Sequence, residues 1–269
     1  MRFKFFIWKY VTNFFPSFKY LIFKINNRLK RKNESTEINR IVSELKTNGY
    51  ALSSFEKIGL DNFIENHNQL RLFKDLNIET IINKIEKSNK KDSKSAYQLD
   101  LMKIFDNKTV RSANNIINHP VFKIISNQYF GLITKFWESP LSMFTIKSKT
   151  PPTLSQLWHK DPTDKLILKY FIFLSDIDLE NGPFNYAPKT HYFGNIKIEP
   201  ESFKEFNASR VTDQSMEKII KHKDWFKGLG KKGTIVFADT RGYHKGGYVQ
   251  NGSRWILQGC YVSNNAFKK

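Results

Sequence analysis

The sequence predicts an α+β protein in which helices pack outside an antiparallel β-barrel or jelly roll. Three observations carry this. From Ser142 onward, short segments rich in β-branched and aromatic residues recur, each of strand length. Between them stand the Gly, Pro and Asn that tight connections require, at Lys149-Thr150-Pro151-Pro152, Glu180-Asn181-Gly182-Pro183 and Arg241-Gly242-Tyr243. Ahead of Ser142 the apolar residues recur instead at helical spacing.

Taken in order, the chain opens with a basic, aromatic extension over residues 1–32, which Pro16 divides into two short elements. In the first, Phe3, Phe5, Phe6, Ile7 and Trp8 make the segment apolar almost all round. In the second, Phe18, Leu21, Ile22, Ile25 and Leu29 share one helical face, with Lys19, Lys24, Arg28 and Arg31 on the rest. Such a segment suits peripheral contact with an anionic membrane, or packing on the rest of the chain or a second subunit. Ile38, Ile41, Val42 and Leu45 then predict a helix that Gly49 stops, followed by a strand over Tyr50 to Phe55. Helical or irregular polar sequence continues through Asn62 to Leu76, Glu79 to Lys87 and Ser112 to Ile125, where Asn118-His119-Pro120 is a turn that opens a helix. Strands follow at Met143 to Lys147, Leu166 to Leu174, Gly233 to Ala238 and Arg254 to Val262. The expected organisation is an extension (1–32) and one domain (33–269), with a helical flank (33–140) and a β-core (141–265).

The 269 residues carry a net charge of +19, which raises nucleic acid or an anionic membrane as a partner. Much of the excess lies in the first 32 residues, which hold no Asp or Glu; the remainder is mixed in sign and reads as solvated surface, which argues against nucleic acid. Cys260 is the only cysteine, so neither an intrachain disulfide nor a thiolate cluster can form, and a cytoplasmic setting fits, with the extension at the inner membrane face under the membrane reading. No apolar run reaches the roughly 18 residues of a membrane span.

The chemistry lies in His159, Asp161, His244 and Arg254. His159 and Asp161 are two apart, so on an extended strand both side chains point to one face. Two imidazoles and a carboxylate can occupy one face of Fe(II) and leave three positions for a co-substrate and dioxygen. Arg254 falls in a strand with Trp255, Ile256 and Leu257, where a guanidinium in a low-dielectric pocket can hold a distal carboxylate. Lys169 interrupts an apolar strand, and either faces water or meets an anion: Asp161 or the co-substrate carboxylate. Phe171 on the same strand face would line the same pocket. Thr145, Lys147 and Lys169 are candidates for the other end of the co-substrate. His67, His119, His191 and His222 have no comparable partners and are read as non-ligands. A zinc hydrolase can be built from the same three ligands, although no general base is evident. A membrane-associated binding or scaffold protein that has lost activity is the alternative outside catalysis.

Together, Leu157-Trp158-His159-Lys160-Asp161, the run Phe173 to Phe184 with its Glu180-Asn181-Gly182-Pro183 turn, Ala187-Pro188-Lys189-Thr190-His191, and Gly233 to Arg254 resemble the phytanoyl-CoA dioxygenase (PhyH-like) family of Fe(II)/2-oxoglutarate oxygenases. The resemblance spans roughly Ser142 to Val262. It implies a double-stranded β-helix, iron on His159, Asp161 and His244, and the C5 carboxylate of 2-oxoglutarate on Arg254. The expected reaction is hydroxylation of a small-molecule or lipid-linked substrate by O2, because related halogenases replace the carboxylate that Asp161 supplies. The family usually has a small residue where this chain has Lys189.

Overall fold

In the computed structural model, the described residues are 35–61, 77–87, 94–137, 140–201, 203 and 210–263. The extension over 1–32, the 62–76 segment and His67 lie outside them. Ser35 begins the described fold: its hydroxyl accepts the Ile38 N–H at 3.3 Å and caps helix α1 (Thr36–Asn48). Ile38, Ile41, Val42 and Leu45 are the buried stripe of that helix, as their spacing predicts. Gly49, at φ 86°, adopts the left-handed conformation that ends it and turns the chain into strand β1 (Tyr50–Ser54).

Helix α2 (Ile78–Glu86) and strand β2 (Gln98–Asp100) follow. The helical stretch read over Ser112 to Ile125 is two helices, α3 (Asn107–Ile117) and α4 (Pro120–Phe130). They break at the expected turn: Pro120 takes the first turn of α4, where its missing N–H costs nothing, and His119 caps it. The remaining strands are β3 (Thr134–Phe136), β4 (Leu141–Ile146), β5 (Ile167–Phe173), β6 (Phe184–Tyr186), β7 (Phe226–Gly228), β8 (Thr234–Asp239), β9 (His244–Gly246) and β10 (Ser253–Ser263), with the short helix α5 (Asp213–Glu217) between β6 and β7.

These strands form two antiparallel sheets. The larger runs β1-β8-β5-β10-β4-β2 with β3 also on β10, and the smaller runs β7-β6-β9. Two-residue periodicity sorts the large sheet into two faces. On one, Ala51, Phe144, Leu168, Tyr170, Ile172, Ile235, Phe237 and Leu257 pack against α1, α3 and α4; the Tyr170 ring stacks on Phe122 at 4.1 Å and its hydroxyl donates to the Ile117 carbonyl at 2.6 Å. On the other, Phe171, Phe173, Val236, Ala238 and Ile256 meet Phe184 and Tyr186 of the small sheet. The sheets therefore face each other as a jelly roll; among the described residues they do not close into a continuous barrel.

Candidate metal centre

His159 and His244 are direct neighbours across an antiparallel bridge, with reciprocal N–H to carbonyl bonds of 3.0 Å. His244 is the first residue of β9. His159 lies on a two-residue strand-like step, and Asp161 is anchored just beyond it by its N–H to the Thr240 carbonyl at 2.9 Å. Arg241 donates to the Asp161 carbonyl at 2.7 Å.

Both imidazoles are oriented in the same way. His159 Nδ1 is 2.8 Å from the Leu157 carbonyl and His244 Nδ1 is 3.0 Å from the Gly242 carbonyl. A carbonyl can only accept, so each Nδ1 bears the proton and each Nε2 presents its lone pair. Those Nε2 atoms lie 3.9 Å and 3.7 Å from the Asp161 carboxylate oxygens, and the three ligand atoms all fall within 4.8 Å of one another. Two ligands on one ion are about 3–4 Å apart when each bond is about 2.1 Å. The set can hold a metal ion.

The electrostatics agree. Burial, then the neighbouring His244 and Arg210, pushes the His159 imidazole down to about 2; burial also lowers His244. Both rings are therefore neutral, the form that binds metal. Burial alone would raise the Asp161 carboxyl, but the Lys169 ammonium above all, with His244 and Thr240, outweighs it and holds the group well below the usual carboxylate range. Lys169 Nζ stands 2.7 Å from Asp161 Oδ2 as a close ion pair. Asp161 is thus one anion that Lys169 meets.

Arg254 is fully enclosed, and burial brings its guanidinium down to about 10. Its Nη1 reaches the Gly247 carbonyl at only 3.4 Å, and its Nε has no partner. Gly246 lies beside it, where a Cβ would sit 3.4 Å from Nη2. Among the described residues no carboxylate pairs with it, and an unmatched buried cation is costly unless a ligand supplies the anion. Thr145, buried, is directly opposite Arg254 in the β4–β10 ladder. Lys147 is exposed. Phe171 packs on Phe184 at 4.8 Å, and Phe184 lies 5.8 Å from the His244 ring, so Phe171 borders the centre through one intervening aromatic.

Among the described residues the other histidines stand apart. His119 caps α4, His222 packs on Trp225, and His191, pushed down to about 4 by burial, contacts the Lys46 carbonyl at 3.2 Å. Lys189 takes the left-handed conformation at φ 65°, which explains why a small residue is usual there. Two features escaped the sequence. Asp239, fully buried, accepts from the Tyr129 hydroxyl at 2.7 Å and ties α4 to the turn that delivers His244. Arg210 stands beside His159; a lone basic residue in a polar stretch gave no signal.

An antiparallel jelly roll with two neutral imidazoles, a carboxylate and an enclosed arginine defines a metal-dependent enzyme whose co-substrate is an anion. The family described as phytanoyl-CoA dioxygenase (PhyH) matches residues 36–254, and the chain belongs to it. It is an oxygenase-type enzyme whose cofactors are Fe(II) and 2-oxoglutarate. No curated protein matches the sequence. Solved structures with the same fold include the epimerase SnoN in complex with Fe3+, α-ketoglutarate and nogalamycin RO (TM-score 0.56, 11% identity, 85% of this chain and 84% of that one). AviO1 from Streptomyces viridochromogenes Tue57 (0.51, 13%, 88% and 99%) and the carbocyclase SnoK from nogalamycin biosynthesis (0.50, 15%, 88% and 87%) are similar in the same way. Among the described residues no helix is long and apolar enough to cross a membrane.

Proposed function

We propose that the protein hydroxylates a small-molecule or lipid-linked substrate, with iron held by His159, Asp161 and His244 and 2-oxoglutarate oriented by Arg254. The observation that carries this is the pairing of two neutral imidazoles and an ionised carboxylate with a buried guanidinium that has no acidic partner among the described residues. Bound Fe(II) and 2-oxoglutarate supply the oxidising chemistry from dioxygen. The protein does the rest. The Leu157 and Gly242 carbonyls fix both rings, so the metal meets lone pairs without rearrangement. Lys169 keeps Asp161 ionised and its carboxylate in place. Arg254 receives the distal carboxylate of the co-substrate, with Thr145 across the ladder, through bonds worth about 1.5–3 kcal/mol each. Phe171 and Phe184 wall the centre from water.

Among the described residues Asp161 is the carboxylate that shapes the two imidazoles, and as a metal ligand it is not available as the general base that a zinc hydrolase needs. The domain division at residue 33, and membrane contact through residues 1–32 at the inner membrane face, belong to the same proposal.

The test is an anaerobic titration with Fe(II) and 2-oxoglutarate, following the visible charge-transfer band of the chelated co-substrate. The band is expected in the wild type, absent in His159→Ala, and shifted in Arg254→Ala to about 10-fold higher 2-oxoglutarate or more. A well-folded wild type with no band would sink the proposal. Once a substrate is found, product mass reads the reaction: hydroxylation adds an oxygen, ring closure removes hydrogen, and epimerisation leaves the mass unchanged.

A further inference from the structure

Beyond β6 the chain makes a loop, residues 189–198, that is pinned at several points to the rest of the fold. The Lys189 N–H donates to the Asn48 carbonyl at the end of α1 at 2.9 Å, and the Lys189 carbonyl accepts from Ile196 at 3.0 Å. Gly194 closes the loop: its N–H donates to the His191 carbonyl at 3.1 Å, and a Cβ at this position would run into the Lys189 carbonyl. Thr190 accepts the Tyr243 N–H at 2.9 Å, and buried His191 contacts the Lys46 carbonyl. The loop is thus braced against α1 and against the turn that carries His244.

This braced loop turns large apolar side chains outward. Tyr192 is 56% exposed, Phe193 42% and Ile198 65%. The Phe193 ring stands edge-on to Tyr129 at 5.5 Å and to Tyr192 at 5.1 Å, so the exposed pair is supported from beneath by α4. Adjacent large apolar residues held in place at a surface mark a contact with something else. Lys46, Lys189 and Lys197 are exposed in the same neighbourhood, and the Lys197 ammonium sits at the base of the pair, where it donates to the His191 and Tyr192 carbonyls at 3.0 and 2.7 Å. The carboxylates next to two of these lysines, Glu44 and Glu199, are turned to Arg40 and Lys160. Lysine is depleted in protein–protein interfaces, whereas aromatic rings beside lysines suit an anionic bilayer: the rings enter at headgroup depth and the ammonium groups gain from the surface potential.

We propose that the loop over residues 189–198 docks the protein on an anionic lipid surface, with Tyr192 and Phe193 entering the headgroup layer and Lys46, Lys189 and Lys197 facing the lipid charges. The net charge of +19 adds long-range attraction to the same surface. This docking site belongs to the described fold, is distinct from any contact made by residues 1–32, and does not depend on the iron and 2-oxoglutarate reading.

The experiment mixes the full chain with phosphatidylcholine vesicles, with and without phosphatidylglycerol, and reads the loop separately from the rest of the chain. Cys260 is buried, so a Tyr192→Cys chain takes a thiol-reactive, environment-sensitive dye at the loop. Phe193→Ser, Lys46→Gln and Lys189→Gln are introduced into the labelled chain, with thermal melts to confirm folding, and co-sedimentation records total binding. On anionic vesicles the dye is expected to shift to the blue and to escape an aqueous quencher, with the midpoint of the lipid titration raised about 10-fold by Phe193→Ser and about 5-fold by each lysine substitution. A dye that stays in water while the protein sediments with the vesicles places the contact elsewhere and overturns the proposal. So does a shift of equal size on neutral vesicles, or no binding to either kind. A dye already shielded before lipid is added also overturns it: shielding that grows with protein concentration would make the patch an interface between copies, and shielding that does not would mean that the chain itself covers it.

Discussion

Asp239 is held where a carboxylate is least at ease. Burial pushes its carboxyl up to about 6, against the Tyr129 hydroxyl and Arg241 N–H that lower it. An unfolded aspartate titrates near 3.9. The folded state therefore binds this proton more tightly, so the group's contribution to stability is complete below the unfolded value and lost as pH rises through about 6. About two units correspond to roughly 3 kcal/mol. His159 and His191, both depressed, run the other way: their contribution is present above the unfolded histidine value and lost as pH falls through about 2 and about 4. The informative quantity is thus a difference. Asp239→Asn, which keeps an acceptor for Tyr129, is expected to be less stable than wild type near pH 4 and to close that gap by about 3 kcal/mol at pH 7, read by urea unfolding. A gap that does not change with pH would show that Asp239 titrates normally.

At the scale of elements, β10 is limited by one glycine. Gly259 pairs with Tyr170 in the ladder, and a Cβ there would sit 2.2 Å from the Tyr170 ring, which is fully buried and has no space to retreat into. Gly259→Ala should cost about 1–3 kcal/mol, seen as a lower denaturation midpoint with β-sheet content retained; an unchanged midpoint would mean that the two strands slide apart freely. Long elements were legible because their patterns had room to repeat: four apolar residues on α1, and the sustained β-branched and aromatic runs of β5, β8 and β10. Strands β6, β7 and β9 were not, since three residues cannot display a period of two and their sequences carry the Asn and Gly of turns. For the same reason the metal ligands were identifiable from side-chain chemistry, whereas Arg210 became visible only when the bridge between Trp158 and Val211 placed it beside His159.

For the whole molecule, the two sheets enclose a positive region that folding by itself does not reward. Lowering the Arg254 guanidinium from 12.5 to about 10 corresponds to roughly 3 kcal/mol held in place for a ligand. Ligand binding should recover it: with Fe(II) present and 2-oxoglutarate at about a hundred times its Kd, stability should rise by about 2.7 kcal/mol. Arg254→Met is expected to melt higher than the unliganded wild type and to gain about 1.4 kcal/mol or less from the same 2-oxoglutarate concentration; a lower melting temperature with the ligand gain intact would contradict this. The jelly-roll layering was readable from strand composition and turn chemistry, while the absence of barrel closure among the described residues depends on which strand edges meet, a long-range matter that no local pattern encodes. The carbonyls that orient the two imidazoles also have an evolutionary consequence. Main-chain oxygens come with every residue type, so position 157 can drift among lineages without releasing its ring. Position 242 cannot, because a Cβ there would lie 2.0 Å from the Tyr186 hydroxyl. Of the two grips on the metal, one is open to neutral change and the other is frozen.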